Sequence, residues 1–176
     1  MIDFSIDHFA LFHLPRSYRI DAAQLDREYR TLQSAIHPDR HAGSGDAGRR
    51  RALQASARVN EAYATLRDPA SRGEYLLGLH GVESLAETDT AMPMDFLMEQ
   101  MERREALDEA RASGNHPALE QALAGIALER AALEGEVAEA IDDRAALDEA
   151  KTAVRKLRFL DRVKHEINDA LIEAES

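Results

Sequence analysis

Apolar residues recur at helical intervals along almost the whole chain, and polar punctuation divides it into four short helices followed by three long ones. Asp3 to His13 reads as a short helix that stops before Leu14-Pro15. Asp21-Ala22-Ala23-Gln24 looks like a capping box opening a second helix that runs to about Ile36. Within it Leu25, Tyr29, Leu32 and Ile36 fall at i, i+4, i+7 and i+11, one buried stripe. Pro38 ends this helix, because proline disfavours helical geometry in the residue before it. His41-Ala42-Gly43-Ser44-Gly45 is a loop by its glycines.

A third helix is expected from Asp46 to Leu66, with Ala52, Ser56, Val59, Tyr63 and Leu66 as its inward stripe. Asp68-Pro69 then supplies an N-cap and a proline at the first helical position. The short helix it opens passes through Tyr75-Leu76-Leu77 and closes at Gly81. Residues 82–93, poor in apolar side chains, read as a linker. Beyond it, Met94 to Ala112 forms a helix, and Ser113-Gly114-Asn115-His116-Pro117 breaks it. A further helix covers about Pro117 to Ala140, weakened by the internal Gly125 and Gly135. Asp142-Asp143 is expected to cap the last helix, which runs to about Ala174. The fold class is all-α: residues 1–81 as an N-terminal domain built on a helical hairpin, and 94–176 as a C-terminal three-helix bundle.

Composition narrows the function classes. The chain is 44% hydrophobic and 31% charged over 176 residues, a globular profile. No apolar run reaches the roughly 20 residues needed to span a bilayer. The start, Met1-Ile2-Asp3-Phe4-Ser5, has no export signature, so a cytoplasmic protein is expected. The absence of cysteine excludes disulfides, thiol catalysis and thiolate metal sites together. Charge is unevenly spread: 11 basic against 10 acidic residues through His80, then 11 against 23 from Gly81 onward. An acidic half argues against general nucleic-acid binding, and the contrast suggests two domains with different partners.

One tripeptide stands out. His37-Pro38-Asp39 sits in the loop between the two longest N-terminal helices, which pair as an antiparallel hairpin. Proline fixes φ, so the loop is stiff and presents both polar side chains outward. Arg27 and Arg30 are i, i+3 neighbours facing away from the Leu25/Leu32 stripe, and Arg40 follows the tripeptide. The surface is a basic helix face ending in a rigid tip with one carboxylate. Downstream lie Val59-Asn60-Glu61-Ala62-Tyr63, Leu66 and Asp68-Pro69. This combination resembles a J-domain.

The resemblance extends further. Tyr75-Leu76-Leu77 with Leu79-His80-Gly81, Asp95-Phe96-Leu97-Met98-Glu99-Gln100, and Val154-Arg155-Lys156-Leu157-Arg158-Phe159-Leu160 are similar to the HscB-type co-chaperones of iron–sulfur cluster assembly. It covers both domains. Position 40 is arginine where that family often has lysine, and the cysteine-rich N-terminal extension of some relatives has no counterpart. The resemblance implies that His37, Pro38, Asp39 and Arg40, with Arg27 and Arg30, contact a DnaK/HscA-class chaperone ATPase and stimulate it. Asp39 would pair with an arginine of that partner, and the catalytic groups and nucleotide would belong to it. No phosphate-binding glycine loop of the Gly-x-x-x-x-Gly-Lys-[Ser/Thr] kind is present here.

The long C-terminal helices carry a second signal. At about 100° per residue, Met94, Leu97, Met98 and Met101 cluster on one side of their helix, while Phe96, Leu107 and Ala110 lie opposite. A helix in a three-helix bundle needs one apolar stripe, so one of these is surplus. In the last helix Leu147, Ala150, Val154, Leu157, Leu160, Lys164, Ile167 and Leu171 trace an inward seam with Lys164 as its polar exception. Phe159 points away from that seam, among Arg155, Lys156 and Arg162. Methionine stripes are usually core filler. The resemblance implies instead that Leu97, Met98, Met101, Glu102, Glu105 and Phe159 bind the iron–sulfur cluster scaffold protein of the IscU type.

No catalytic residue, cofactor, metal site or membrane contact is expected. His37 and His41 have the i, i+4 spacing of a helical metal pair, but Pro38 breaks the helix between them. Glu134, Glu136 and Glu139 read as a solvated helix face. The resulting expectation is a non-enzymatic co-chaperone that delivers the scaffold to a DnaK/HscA-class ATPase. A J-domain adaptor for other clients is the alternative, and a helical structural protein with an accidental His-Pro-Asp is the third possibility.

Overall fold

A computed structural model describes residues 5–36, 45–82 and 92–174. Every regular element among them is helical: α1 (His8–Leu11), α2 (Ala22–Ile36), α3 (Gly45–Arg67), α4 (Pro69–Leu79), α5 (Met94–Ala112), α6 (His116–Ala138), a π-helical turn over Glu139–Asp143, and α7 (Leu147–Ala174). The chain divides into two compact units, Met1–Leu76 and Leu77–Ser176.

In the first unit α2 and α3 pack as the expected hairpin, with α1 against α3. The first helix is shorter than the sequence pattern suggested. Asp7 is its N-cap, accepting the Ala10 amide at 2.9 Å and holding the Arg16 Nε at 2.7 Å. His13, at φ 53°, then lets the Leu14 amide reach the Phe9 carbonyl and ends it. The Asp21 carboxylate caps α2 through the Gln24 amide at 3.0 Å. The return half of the capping box is absent, because the Gln24 side-chain amide donates to the His13 carbonyl instead.

The inward stripe of α3 also differs in detail. Ala52, Ala55, Val59, Ala62 and Leu66 are buried, while Ser56 and Tyr63 lie at its flank. Tyr63 is drawn sideways because its ring stacks on Tyr29 at 3.9 Å and its hydroxyl donates to Asp26 at 2.8 Å. Asp68 caps α4 through the Ser71 amide at 2.7 Å. Gly81, at φ 78°, closes it with the Gly81 amide on the Gly78 carbonyl and the Val82 amide on that of Leu77. This paired closure requires a left-handed residue, which glycine adopts without strain.

In the second unit α6 packs against both α5 and α7 as a three-helix bundle. Leu107, Leu119, Ile126, Leu133, Val154, Leu157, Leu160 and Ile167 fill its centre. Asn115 caps α6 by accepting the Ala118 amide at 3.2 Å. The helix runs unbroken through Gly125 and Gly135. Its end departs from expectation. Asp142 and Asp143 do not cap α7; they lie in the π-helical turn that prolongs α6, and α7 starts only at Leu147. The Arg144 amide reaches the Glu139 carbonyl at 3.1 Å and the Ala146 amide that of Ala140 at 2.7 Å. Ala145, at φ 51°, then turns the chain. In α7, Lys164 is exposed and the seam passes instead through Leu160, Ile167 and Ala170.

Candidate functional site

The hairpin fixes the direction of the basic face. Asp26 sits where α2 meets α3, held by the Tyr63 hydroxyl and by the Arg67 guanidinium at 2.7 Å. The Tyr63 hydrogen bond, reinforced by Arg67 and opposed by desolvation, keeps the Asp26 carboxyl below its ordinary value. Gln33 bridges the same seam to Tyr29, at 2.9 Å, and to Asn60. With that side of α2 fastened to α3, Arg27 and Arg30 are exposed. Arg27 reaches Asp21 only at 4.0 Å, both groups being solvated, so its charge stays available to a partner. His37, Pro38, Asp39 and Arg40 lie outside the described residues, in the segment that joins α2 to α3.

On α5 the structure decides which apolar stripe is surplus. Phe96, Leu107 and Ala110 are buried, whereas Met98 and Met101 are 58% and 66% exposed and Leu97 is 36% exposed. Met94, Glu102 and Glu105 are exposed beside them. An outward row of three methionines and a leucine is thus unused by the bundle. Phe159 is less open than its charged neighbours suggested. It is half-buried, with its ring edge-on to Phe96 at 5.6 Å and the Arg162 guanidinium over it at 5.6 Å. The aromatic pair bridges α7 to α5 through Phe96, on the covered stripe of α5.

One feature escaped the sequence reading. Alongside Phe159, α5 and α7 border a cleft of about 250 Å³ lined by Gln100, Arg104, Leu107, Arg111, Arg162 and Val163 among others. Gln100 is a polar residue on the inner face of α5, one turn after Phe96, and that position was the signal available. The described residues hold no group of three or more His, Asp or Glu that could bind a metal ion, and no helix long and apolar enough to cross a membrane.

Residues 7–75 match the DnaJ domain model, and residues 92–168 match the model of the HSCB C-terminal oligomerisation domain. The co-chaperone protein HscB homolog of Azoarcus sp. strain BH72 is 44% identical over 170 residues, spanning 97% of this chain and 96% of the relative. That of Burkholderia multivorans is 47% identical over 170 residues, with 95% of each covered. Two solved structures share the fold. Chaperone HscB from Vibrio cholerae superposes with a TM-score of 0.84 at 31% identity, covering 96% of this chain and 99% of that one. Human co-chaperone protein HscB gives 0.86 at 33%, covering 95% and 83%. An all-helical chain with an N-terminal DnaJ domain, alike over nearly its whole length to these co-chaperones, belongs to the HscB co-chaperone family.

Proposed function

We propose that this protein stimulates the ATPase of a DnaK/HscA-class chaperone and brings it an IscU-type scaffold, assisting maturation of iron–sulfur proteins. It acts as an adaptor in the cytoplasm, with the catalytic groups and the nucleotide on its partner. Residues 1–81 serve as the J-domain, 82–93 as linker and 94–176 as the scaffold-binding domain.

The observation that carries the client half is the outward row on α5. Leu97, Met98 and Met101 are exposed although the bundle already has Phe96, Leu107 and Ala110 to bury. Exposed apolar patches rimmed by charge mark interaction sites, and Glu102 and Glu105 supply that rim. Phe159 contributes the aromatic edge, and methionine suits a surface that must adapt to a partner. For the chaperone half, Arg27 and Arg30 steer the encounter with acidic chaperone surface. His37, Pro38, Asp39 and Arg40 then engage the nucleotide-binding domain, Asp39 by pairing with an arginine.

Single-turnover ATP hydrolysis by a DnaK-class chaperone tests both halves. The expected result is acceleration by this protein and further acceleration when scaffold is added. Acceleration without a scaffold effect would leave a J-domain adaptor for other clients, and no acceleration would end the chaperone reading.

A further inference from the structure

Resting on the client reading just given, we infer that the α5–α7 cleft beside Phe159 receives a carboxylate-bearing aliphatic segment of the scaffold, with Arg104 and Arg162 as its charge partners.

Three observations converge. The first is charge. From Gly81 onward acids outnumber bases 23 to 11, yet four arginines and two carboxylates line this cleft. Arg103 is taken by Glu129 at 2.5 Å, and Arg111 donates to the Glu166 carbonyl. Arg104 forms no ion pair among the described residues, and the contact made by Arg162 is with the face of Phe159. Asp108 and Glu166 line the cleft one turn beyond Arg104 and Arg162 without pairing to them, and four cations against two carboxylates on a concave surface leave it set for an anion from outside.

The second is Gln100. Its side chain lines the cleft at only 6% exposure; Oε1 accepts from Arg103 at 2.7 Å, while Nε2 has no partner. A buried donor left unmade is unfavourable, and an acceptor oxygen entering between the helices would satisfy it. The third is continuity. Leu97, Arg104 and Arg111 fall at i, i+7 and i+14, so the edge of α5 that carries the patch runs on into the cleft. Its apolar wall, Leu107, Phe159 and Val163, suits the aliphatic part of the same segment. An acidic, aliphatic strand crossing Leu97 and Met101 would therefore end among the arginines.

The test is calorimetric titration of the full chain with an IscU-type scaffold. Arg104→Gln with Arg162→Gln should weaken binding by about tenfold or more. Arg104→Glu with Arg162→Glu should weaken it further, and Arg104→Lys with Arg162→Lys should restore most of it. Melting temperatures should stay level, since both side chains are exposed. Wild-type affinity in the Gln pair overturns the cleft, and so do equal losses in the Gln and Glu pairs without rescue by Lys. Leu97→Ala with Met101→Ala separates the two proposals. If it lowers affinity while the Gln pair does not, only the cleft falls. If neither it nor the wild type shows scaffold binding above background, the client reading falls and takes the cleft with it.

Discussion

Alanine at Leu97, Met101 and Phe159 probes the outward row, and the structure separates the three positions. Met101 is two-thirds exposed and Leu97 sits at the edge of exposure, so truncating either is expected to change stability by only about 0.5 kcal/mol. Phe159 is half-buried against Phe96 at a centroid separation of 5.6 Å. A fully buried phenylalanine costs about 3–5 kcal/mol on truncation, so half that burial gives roughly 2 kcal/mol, including about 0.5–1.5 kcal/mol for the edge-to-face pair. At about 2–4 °C per kcal/mol for a chain of this size, Leu97→Ala/Met101→Ala, at about 0.5 kcal/mol each, should melt within about 4 °C of wild type. Phe159→Ala should melt roughly 4–8 °C lower. Scaffold affinity should fall in both, by on the order of 2 kcal/mol for each central anchor. The assay pairs thermal melts with calorimetric titration on the same preparations. A Leu97/Met101 variant that melts roughly 8 °C or more low would mean these side chains are core. One that melts and binds as wild type would remove the patch.

Other perturbations address separate links. Asp39→Asn should keep helicity and melting temperature while abolishing stimulation of the partner ATPase in single-turnover assays. Arg27→Glu with Arg30→Glu should slow association with the chaperone in stopped-flow, and the wild-type rate should fall as salt rises; indifference to both would make the face merely solvated. Asp21→Ala removes the oxygen that holds the Gln24 amide and should lower stability by about 1 kcal/mol in denaturant titration. His8 is buried against Tyr75 at 4.1 Å, and burial, followed by the nearby Arg58 charge, lowers its imidazole pKa. The unfolded chain therefore binds this proton more readily, and stability should drop as pH falls below about 6.5. His8→Phe should remove that part of the difference between melts at neutral and mildly acidic pH.

Much of this protein is written locally. Asp68 before Pro69, Gly81 after Leu79 and Asn115 before α6 act through hydrogen bonds within a few residues. Both ends of α4 and, to within a residue, the start of α6 were accordingly legible from the chain. The proposed chaperone-facing set is likewise drawn from the chain alone, from the contiguous His37-Pro38-Asp39-Arg40 with Arg27 and Arg30 one helix face upstream.

What periodicity leaves open is which of two competing partners a residue takes. Asp142-Asp143 is a plausible cap by sequence, yet continued i→i−5 bonding from α6 absorbs it and delays α7 to Leu147. Tyr63 has the spacing of a core residue, but Tyr29 and Asp26 draw it to the flank, and Ala62 takes the interior. The two apolar stripes of α5 are equivalent until α6 and α7 cover the one bearing Phe96. Phe159 gains its aromatic partner only when residues 63 positions apart meet. The cleft that joins Gln100 and Arg104 to Arg162 likewise exists in neither helix alone. Hydrogen bonds within a turn are fixed by neighbours in sequence, whereas burial and charge pairing belong to whichever surfaces the packed helices bring together.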